Sequence, residues 1–381
     1  MRSQAPGAAH VVIDGLNAMR GGTVVVIARA ARALRDAGAS VTVLLARELP
    51  GLTLDDDIAV HLLPRARGAV PALLARRLWL DRLLRRLGAD LVLSLNYSVT
   101  TSVPQATYHI NVIPFLPQRQ RAAAVGAPRA VVQAIEARRA LRHSATNVFE
   151  SRYVMKLARE LGVPVRRPQV AYVGIDLPYG AAPAAPEPHS FVTITSPAPH
   201  KRNDLLLDAF STYAASHPEA RLTVIGDADA ILSSLAPERR RVVEADAAIE
   251  MTGYLGRAAL FDRIARSWAM LVASELESFF MVPVEAMTYA CPVIGFDSTS
   301  IRESVGPEMP VVPMGDIAGM VREMERLSNS DVREALSAAA LAWSTRFAAD
   351  VCSRDLAEKI LSVLPGSAAS PHGADRAGAS P

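Results

Sequence analysis

Two glutamates, Glu277 and Glu285, lie eight positions apart in the segment SELESFFMVPVEAM. The apolar run at 270–274 is typical of a buried parallel strand, and apolar spacing over 282–290 predicts a helix. Ligands of open α/β sheets collect at the carboxyl ends of strands, where Glu277 is expected. Glu285 is expected in the first helical turn, beside free backbone N–H groups at 280–282.

This arrangement predicts a ligand with hydroxyl groups at both ends and phosphate between them. An ionised carboxylate only accepts hydrogen bonds, so it matches the vicinal diol of a ribose or a hexose. A nucleotide-sugar has this chemistry. The alternative is that Glu285 complements the helix dipole and that Glu277 is a solvated loop charge.

A cation is expected close to these carboxylates. The segment PAPHKRNDLLLDAF places Lys201 and Arg202 after a strand and before a helix, with Asn203 or Asp204 as the expected N-cap. A lysine here can neutralise a departing diphosphate without a metal ion. An ordinary surface lysine is the alternative.

Other residues could take part in the same chemistry. Gly21 and Gly22 open the first long helix, where glycines let a phosphate approach the backbone, although a plain turn is as good an interpretation. His109 and Asn111 end a predicted strand and are candidates for contact with the acceptor or the sugar. A lone strand histidine is more often structural.

Metal chemistry has weak support in the sequence. Asp227 and Asp229 follow a strand and could hold a divalent ion, but Asp229 fits better as the N-cap of the next helix. The two cysteines, Cys291 and Cys352, have no metal-ligand spacing and are expected to be small core residues.

Strand and helix patterns alternate through the chain, which predicts a parallel α/β architecture. The apolar strand patterns fall into two series separated by a segment rich in Pro, Ala and Gly. They cover 10–15, 40–46, 58–64, 90–96, 106–112, 146–151 and 169–174, then 191–196, 221–226, 249–253, 270–274 and 292–296. Helices are expected at 316–328, 332–346 and near 348–364.

These series predict two Rossmann-like domains that face each other across a cleft. The predicted parts are an N-terminal acceptor-side domain (1–176), a linker (177–190), a C-terminal nucleotide-sugar donor domain (191–346), a C-terminal helix that packs back on the N-terminal domain (347–364), and a disordered tail (365–381).

Charge is distributed unevenly along the 381 residues. Residues 1–180 hold 24 Lys and Arg against 12 Asp and Glu, whereas 181–381 hold 17 against 26. A basic half predicts an anionic partner such as a phospholipid surface or a lipid diphosphate, and ordinary solvated faces are the alternative. The arginine-containing segment 73–88 is interpreted as a packed crossover helix, which leaves 119–142 as the better candidate for such contact.

Targeting signals are not apparent. No apolar run approaches the length of a membrane span, and the N-terminus lacks the apolar region of a signal peptide. A cytoplasmic protein is therefore expected, with the inner face of the membrane as a place of peripheral contact. Nucleic acid is not an expected partner.

The combined motifs resemble the retaining glycosyltransferases of family 4, which have the GT-B fold. The resemblance extends to about residue 364 and is strongest over 197–303, where E-x7-E precedes EAM-x4-PVI. It implies that Glu277 contacts the donor sugar, that Glu285 contacts the ribose and that Lys201 holds the diphosphate. The other implied donor-binding residues are Gly21, Gly22, Arg202, Tyr254, Phe279, Phe280 and Met281.

The resemblance also implies a metal-independent reaction with no cofactor, in which sugar transfer retains the anomeric configuration. Some positions depart from the family pattern. Ser196 stands where an arginine is usual, Ser278 and Phe280 stand where glycines are common, and His109 is one residue away from the family histidine position at Ile110.

The predicted function is transfer of a hexosyl-type sugar from a nucleotide-diphosphate donor to a hydroxyl acceptor on a glycan, glycolipid or natural product. A catalytically weak GT-B homologue that binds nucleotide as a partner subunit is the alternative, and a transferase using metal at Asp227 and Asp229 is a third.

Overall fold

The computed structural model describes residues 8–18, 22–177 and 185–365. The chain forms two compact units. The first contains the residues up to Phe149, residues 157–171 and those from Ser353 onward, and the second contains 150–156 and 172–352. The sequence placed 150–156 in the N-terminal domain, whereas the structure groups this segment with the second unit.

The first unit is built on a seven-stranded parallel sheet with the order β3-β2-β1-β4-β5-β6-β7. Its central strands are continuous apolar runs because both faces are covered, and Val11, Val12 and Ile13 are fully buried. The strands are β1 (His10–Asp14), β2 (Ser40–Leu45), β3 (Ala59–Leu62), β4 (Leu91–Leu95), β5 (Gln105–His109), β6 (Thr146–Phe149) and β7 (Pro168–Val170).

Helices connect these strands. The predicted helix over 73–88 is two helices, because Trp79 has a φ of −142° that interrupts the helical backbone. The helices are α1 (Gly22–Asp36), α2 (Ala69–Leu78), α3 (Leu80–Arg86), α4 (Gln118–Val125), α5 (Ala127–His143) and α6 (Arg152–Glu160).

The second unit is built on a six-stranded parallel sheet with the order β10-β9-β8-β11-β12-β13. Only the last strand was not predicted, since it has three residues and ends in a proline. The strands are β8 (Ser190–Ile194), β9 (Arg221–Ile225), β10 (Ile249–Gly253), β11 (Ala269–Val272), β12 (Val293–Asp297) and β13 (Val311–Pro313).

Its helices follow the expected alternation with strands. They are α7 (Asn203–Ala214), α8 (Ala228–Ser234), α9 (Pro237–Ala245), α10 (Arg257–Arg266), α11 (Met281–Met287), α12 (Ile301–Val305), α13 (Ile317–Leu327) and α14 (Ser330–Ser344). The last helix, α15 (Ala349–Leu361), passes from the second unit into the first at Ser353. No helix of the described residues is both long and apolar enough to cross a bilayer.

The order of the second sheet creates a switch point between β8 and β11. The two strands are parallel neighbours, with Phe191 opposite Ala269 and Val192 opposite Met270. From β8 the chain continues to β9 on one side, and from β11 it continues to β12 on the other. Loops that leave such neighbours in opposite directions open a crevice at their carboxyl ends, where ligands of α/β proteins bind.

Candidate active site

An amine and a carboxylate meet at this switch point. Lys201 Nζ, on the loop after β8, lies 2.6 Å from Glu277 Oε1, on the loop after β11. Each side chain is 19% exposed. The Ser274 hydroxyl donates to the same carboxylate oxygen at 2.7 Å, and the ammonium group lies 5.3 Å from the centroid of the Phe280 ring. The sequence predicted both groups at strand ends, and the structure brings them into direct contact.

The loop that carries Lys201 is braced by Asn203. The Asn203 side chain donates to the Ser196 carbonyl at 2.8 Å and accepts from the Thr195 hydroxyl at 2.6 Å. The predicted N-cap role of Asn203 or Asp204 is wrong. The helix begins at Asn203, and Arg202, with a left-handed φ of 47°, occupies the N-cap position without a side-chain cap.

The loop that carries Glu277 is held from two sides. The Glu275 N–H donates to the His200 carbonyl at 2.6 Å, which joins it to the Lys201 loop. The Glu277 N–H donates to the Thr299 hydroxyl at 3.1 Å, which joins it to the loop after β12. These bonds fix the backbone of both charged residues before any ligand arrives.

Arg202 lies beside the pair, but carboxylates already balance its charge. Its guanidinium donates to Asp204 at 3.0 and 3.1 Å and lies 3.5 Å from Glu275 Oε2. The Asp204 hydrogen bond, opposed by partial burial, raises the pKa of the Arg202 guanidinium. Arg202 is therefore a poor replacement for the arginine that is absent at Ser196.

The predicted phosphate-binding amides are only partly available. Phe279 and Phe280 are 5% and 4% exposed, so their side chains belong to the core. The Phe280 N–H donates to the Ser304 hydroxyl at 3.2 Å, and the prediction that it is free is wrong. Met281 begins the following helix and keeps its predicted position at the helix start.

Glu285 lies in the same strand–loop–helix segment as Glu277, but one step later than predicted. Because α11 begins at Met281, Glu285 is its fifth residue, and the prediction of a first-turn position is wrong. Its side chain is partly buried. Burial raises the pKa of Tyr289, and the nearby Glu285 carboxylate adds to that rise.

Tyr254 carries a solvent-exposed aromatic ring on the second unit. It follows β10 directly after Gly253, whose φ is 71°, and is 80% exposed. A ring in this position can stack on a planar base.

A second acid, Glu150, was missed by the sequence interpretation. It is 6% exposed, and burial raises its pKa to about 8, with a further rise from Glu277 that the Ser278 hydroxyl opposes. Among the described residues, its Oε1 has no hydrogen-bond partner. The carboxyl is therefore largely protonated at neutral pH. Its only sequence signal is a polar residue directly after the buried strand β6.

Glu303 holds the segment of Glu150 in place. Its carboxylate accepts the backbone N–H groups of Arg152 and Tyr153 at 2.6 and 3.1 Å, and the Tyr172 hydroxyl at 2.9 Å. Burial, followed by the charge of Glu303, raises the pKa of Tyr172 to about 12. A carboxylate at the first turn of α6 also complements the helix dipole.

The site candidates of the first unit have different outcomes. Gly22 is the exposed first residue of α1, and a Cβ added there would meet no atom within 4 Å. Gly21 lies outside the described residues. Asn111 closes a turn by accepting the Ile113 N–H at 3.0 Å.

His109 is a structural residue, and its predicted contact with sugar or acceptor is wrong. It is fully buried, stacks on Phe149 at 4.7 Å and makes a 2.9 Å hydrogen bond to Asn147 Oδ1. Burial lowers its pKa to about 4. An enclosed neutral ring of this kind has no access to a substrate.

The two aspartates after β9 have local roles. Asp227, rather than the predicted Asp229, is the N-cap of α8 and accepts the Ala230 N–H at 3.1 Å. Within the ranges that the structure describes, one group of three side chains is close enough to hold a metal ion, and neither aspartate belongs to it. Cys291 and Cys352 are buried core residues, as predicted.

Each half of the chain matches a model of a known protein family. Residues 189–330 match the family model described as glycosyl transferases group 1, and residues 20–178 match the model described as glycosyltransferase family 4. No curated protein sequence matches the chain.

Solved structures with a similar fold include a UDP complex, a glycosyltransferase and a synthase. HepE from Anabaena, in complex with UDP, has 17% identity and a TM-score of 0.71, with 93% of this chain and 100% of that chain covered. A Rickettsia africae glycosyltransferase has 13% identity, a TM-score of 0.71 and coverage of 94% and 100%. Sucrose-phosphate synthase from Thermosynechococcus elongatus has 14% identity and a TM-score of 0.69, with 91% of this chain and 97% of that chain covered.

Proposed function

We propose that this chain of the GT-B fold, whose two units match glycosyltransferase family models, transfers a hexosyl-type sugar from a nucleotide-diphosphate donor to an acceptor hydroxyl with retention. In this reaction the bond between the anomeric carbon and the diphosphate breaks, and a bond to the acceptor oxygen forms on the same face. The acceptor proton passes to the departing diphosphate, so no metal ion or cofactor is required.

The contact between Lys201 and Glu277 carries the proposal. The Lys201 ammonium group supplies positive charge where the leaving diphosphate becomes more negative. The carboxylate accepts hydrogen bonds from sugar hydroxyls. A diphosphate with two negative charges competes effectively with one carboxylate for the amine, so donor binding is expected to open the pair and release Glu277 toward the sugar.

Uridine-diphosphate sugars are the first donors to test. HepE has been solved with UDP and with UDP-glucose, and it shares the fold of this chain. Glu285 is the proposed partner of the ribose hydroxyls, and Tyr254 is the proposed stacking surface for the base. Phosphate contact by the Phe280 amide would require it to leave the Ser304 hydroxyl.

The proposed acceptor is anionic and lipid-linked, at the inner face of the membrane. On the first unit, α5 exposes Val131 (49%) and Ile135 (50%) in line with exposed Arg139 and Arg142. An exposed face with both apolar and basic side chains suits an anionic lipid surface.

The test is replacement of the two central residues. Lys201→Ala and Glu277→Gln are expected to reduce transfer from UDP-glucose and related donors by at least a hundredfold while the melting temperature stays close to that of the wild type. Lys156→Ala and Glu244→Gln are the matched controls, because both residues are exposed elsewhere on the second unit. Full activity in either site variant would contradict the mechanism, and loss of activity in excess EDTA would contradict metal independence.

A weakly active partner subunit remains the second candidate. The balanced charge of Arg202 and the missing arginine at Ser196 favour it, since one lost charged contact costs about 1.5–3 kcal/mol. Nucleotide binding by calorimetry with no turnover of any donor would support this alternative.

A further inference from the structure

Three side chains gather at the edge of the second sheet opposite to the switch point. His189 directly precedes β8, and His217 and Glu219 lie in the turn just before β9. Because β8 and β9 are parallel, their amino ends meet at one edge, and the Lys201 loop leaves from the other. The cluster is therefore remote from the proposed transfer chemistry, and it does not depend on that function.

The donor atoms already have the spacing of metal ligands. Glu219 Oε1 lies 3.5 Å from His189 Nε2 and 3.4 Å from His217 Nδ1, and all three atoms lie within 4.8 Å of one another. Zinc bonds of about 2.0–2.2 Å at tetrahedral angles separate neighbouring ligand atoms by roughly 3.4 Å. Two of the three spacings match this value.

A hydrogen bond behind the cluster orients His189. Its Nδ1 lies 2.6 Å from the Tyr213 hydroxyl, which lies 3.2 Å from the Ser328 hydroxyl, and Tyr213 is 1% exposed. In the tautomer that donates from Nδ1, the lone pair on Nε2 faces the carboxylate. In that tautomer a metal ion can lie between the two atoms, and metal-binding histidines are commonly oriented by such a second bond.

Ring stacking holds the two histidines in position. His217 stacks on Tyr213 at 4.2 Å, and the two imidazoles stack at 5.1 Å. The side chains of His189 and His217 are 20% and 26% exposed, and that of Glu219 is 53% exposed. The ligands are thus ordered on one side and open to solvent on the other, where water can complete the coordination.

We propose that His189, His217 and Glu219 bind one divalent transition-metal ion with the preferences of zinc. The ion would join the residue that leads into β8 to the turn that leads into β9. Its expected effect is on the stability of the second unit, without a part in sugar transfer.

The experiment uses the full chain after removal of any affinity tag, with zinc chloride as the probe. Competition with a chromophoric chelator is expected to give one zinc per chain, and zinc is expected to raise the melting temperature because it binds the folded state. His217→Ala and Glu219→Gln are expected to weaken binding at least tenfold. His143→Ala, which removes an exposed histidine of the first unit, is the matched control and should bind like the wild type.

Two outcomes overturn the proposal. One is zinc binding of equal affinity in the wild type and both variants, which would place the ion elsewhere. The other is absence of stoichiometric uptake together with a melting temperature that responds to pH but not to zinc, which would show a cluster held by protons alone. Tyr213→Phe separates the hydrogen bond from the ligands, and it should weaken binding while keeping the stoichiometry.

Discussion

At the residue scale, the second unit holds two neighbouring carboxyl groups in different environments. Burial and the charge of Glu277 keep Glu150 neutral, with its pKa raised to about 8. Glu277 instead lies 2.6 Å from the ammonium group of Lys201. Opposite environments for two acids in one site are a common way to assign them different roles. Glu150 is a positioning residue in this interpretation, because it acts through Ser278 and Glu277.

Glu150→Gln tests the protonation state. The folded pKa of about 8 exceeds the unfolded value of 4.5, so the folded state binds more protons between these pH values, and its stability falls as pH rises through that window. The variant cannot ionise. The free energy of unfolding of the variant minus that of the wild type should therefore be larger at pH 8 than at pH 5, by about 3 kcal/mol or more.

Urea denaturation of wild type and variant at the two pH values measures this difference. Glu244→Gln, on the exposed face of α9, controls for the loss of an ordinary carboxylate. An equal wild-type-to-variant difference at both pH values would mean that Glu150 is ionised in the folded protein.

At the element scale, the loop between β8 and α7 depends on one side chain. Asn203 both donates to the Ser196 carbonyl and accepts from the Thr195 hydroxyl, and it is 7% exposed. Asn203→Ala leaves a partly buried carbonyl and a partly buried hydroxyl without this partner, which should cost about 0.5–1.5 kcal/mol of stability for each lost hydrogen bond. Since Lys201 belongs to the same loop, transfer should fall more than stability explains.

Asn203→Asp is the informative companion variant. It keeps the acceptor for Thr195 but places a carboxylate oxygen against the Ser196 carbonyl, so it should not recover the stability of the wild type. Melting temperature and donor saturation curves distinguish the two effects. Equal transfer rates in the wild type and Asn203→Ala at a temperature where both are folded would exclude a positioning role.

A buried ion pair joins α2 to β1 in the first unit. Arg76 and Asp14 are both 1% exposed, and Arg76 Nη2 donates to Asp14 Oδ1 at 2.9 Å. Arg76→Ala leaves a buried carboxylate without its counterion and should destabilise the protein by about 3–5 kcal/mol. The double variant Arg76→Met, Asp14→Asn should lose less than this single change, and denaturant unfolding measures both. A greater loss in the double variant would contradict the argument.

The same elements show what sequence patterns can predict. Strand β9 was expected at 221–226 and is found at Arg221–Ile225, because a buried parallel strand is a continuous apolar run. Lys201 and Glu277 could be predicted because the ends of neighbouring parallel strands meet. Glu150 could not, since its approach to Glu277 depends on how 150–156 packs, and no periodicity encodes that. Glu285 was misplaced by the one-residue uncertainty typical of helix starts.

At the scale of the whole molecule, part of the positive charge in the first half has internal carboxylate partners. Arg76 pairs with Asp14, and the neighbouring Arg77 pairs with Glu136. These contacts support the interpretation of α2 as a packed crossover helix. The better candidate for contact with an anionic partner is α5, where Arg139 and Arg142 lie on the exposed face together with apolar side chains.

The proposed lipid contact predicts a specific response to charge reversal. Each basic side chain near an anionic surface contributes about 1 kcal/mol, so Arg139→Glu, Arg142→Glu should weaken binding to phosphatidylglycerol vesicles at least tenfold. Arg240→Glu, Arg241→Glu makes the same change on the second unit and should leave binding unaltered. Co-sedimentation at low and high salt measures the effect, because screening should abolish a contact of this kind. Equal binding of both double variants, or equal binding to neutral phosphatidylcholine, would exclude α5 as the lipid-facing surface.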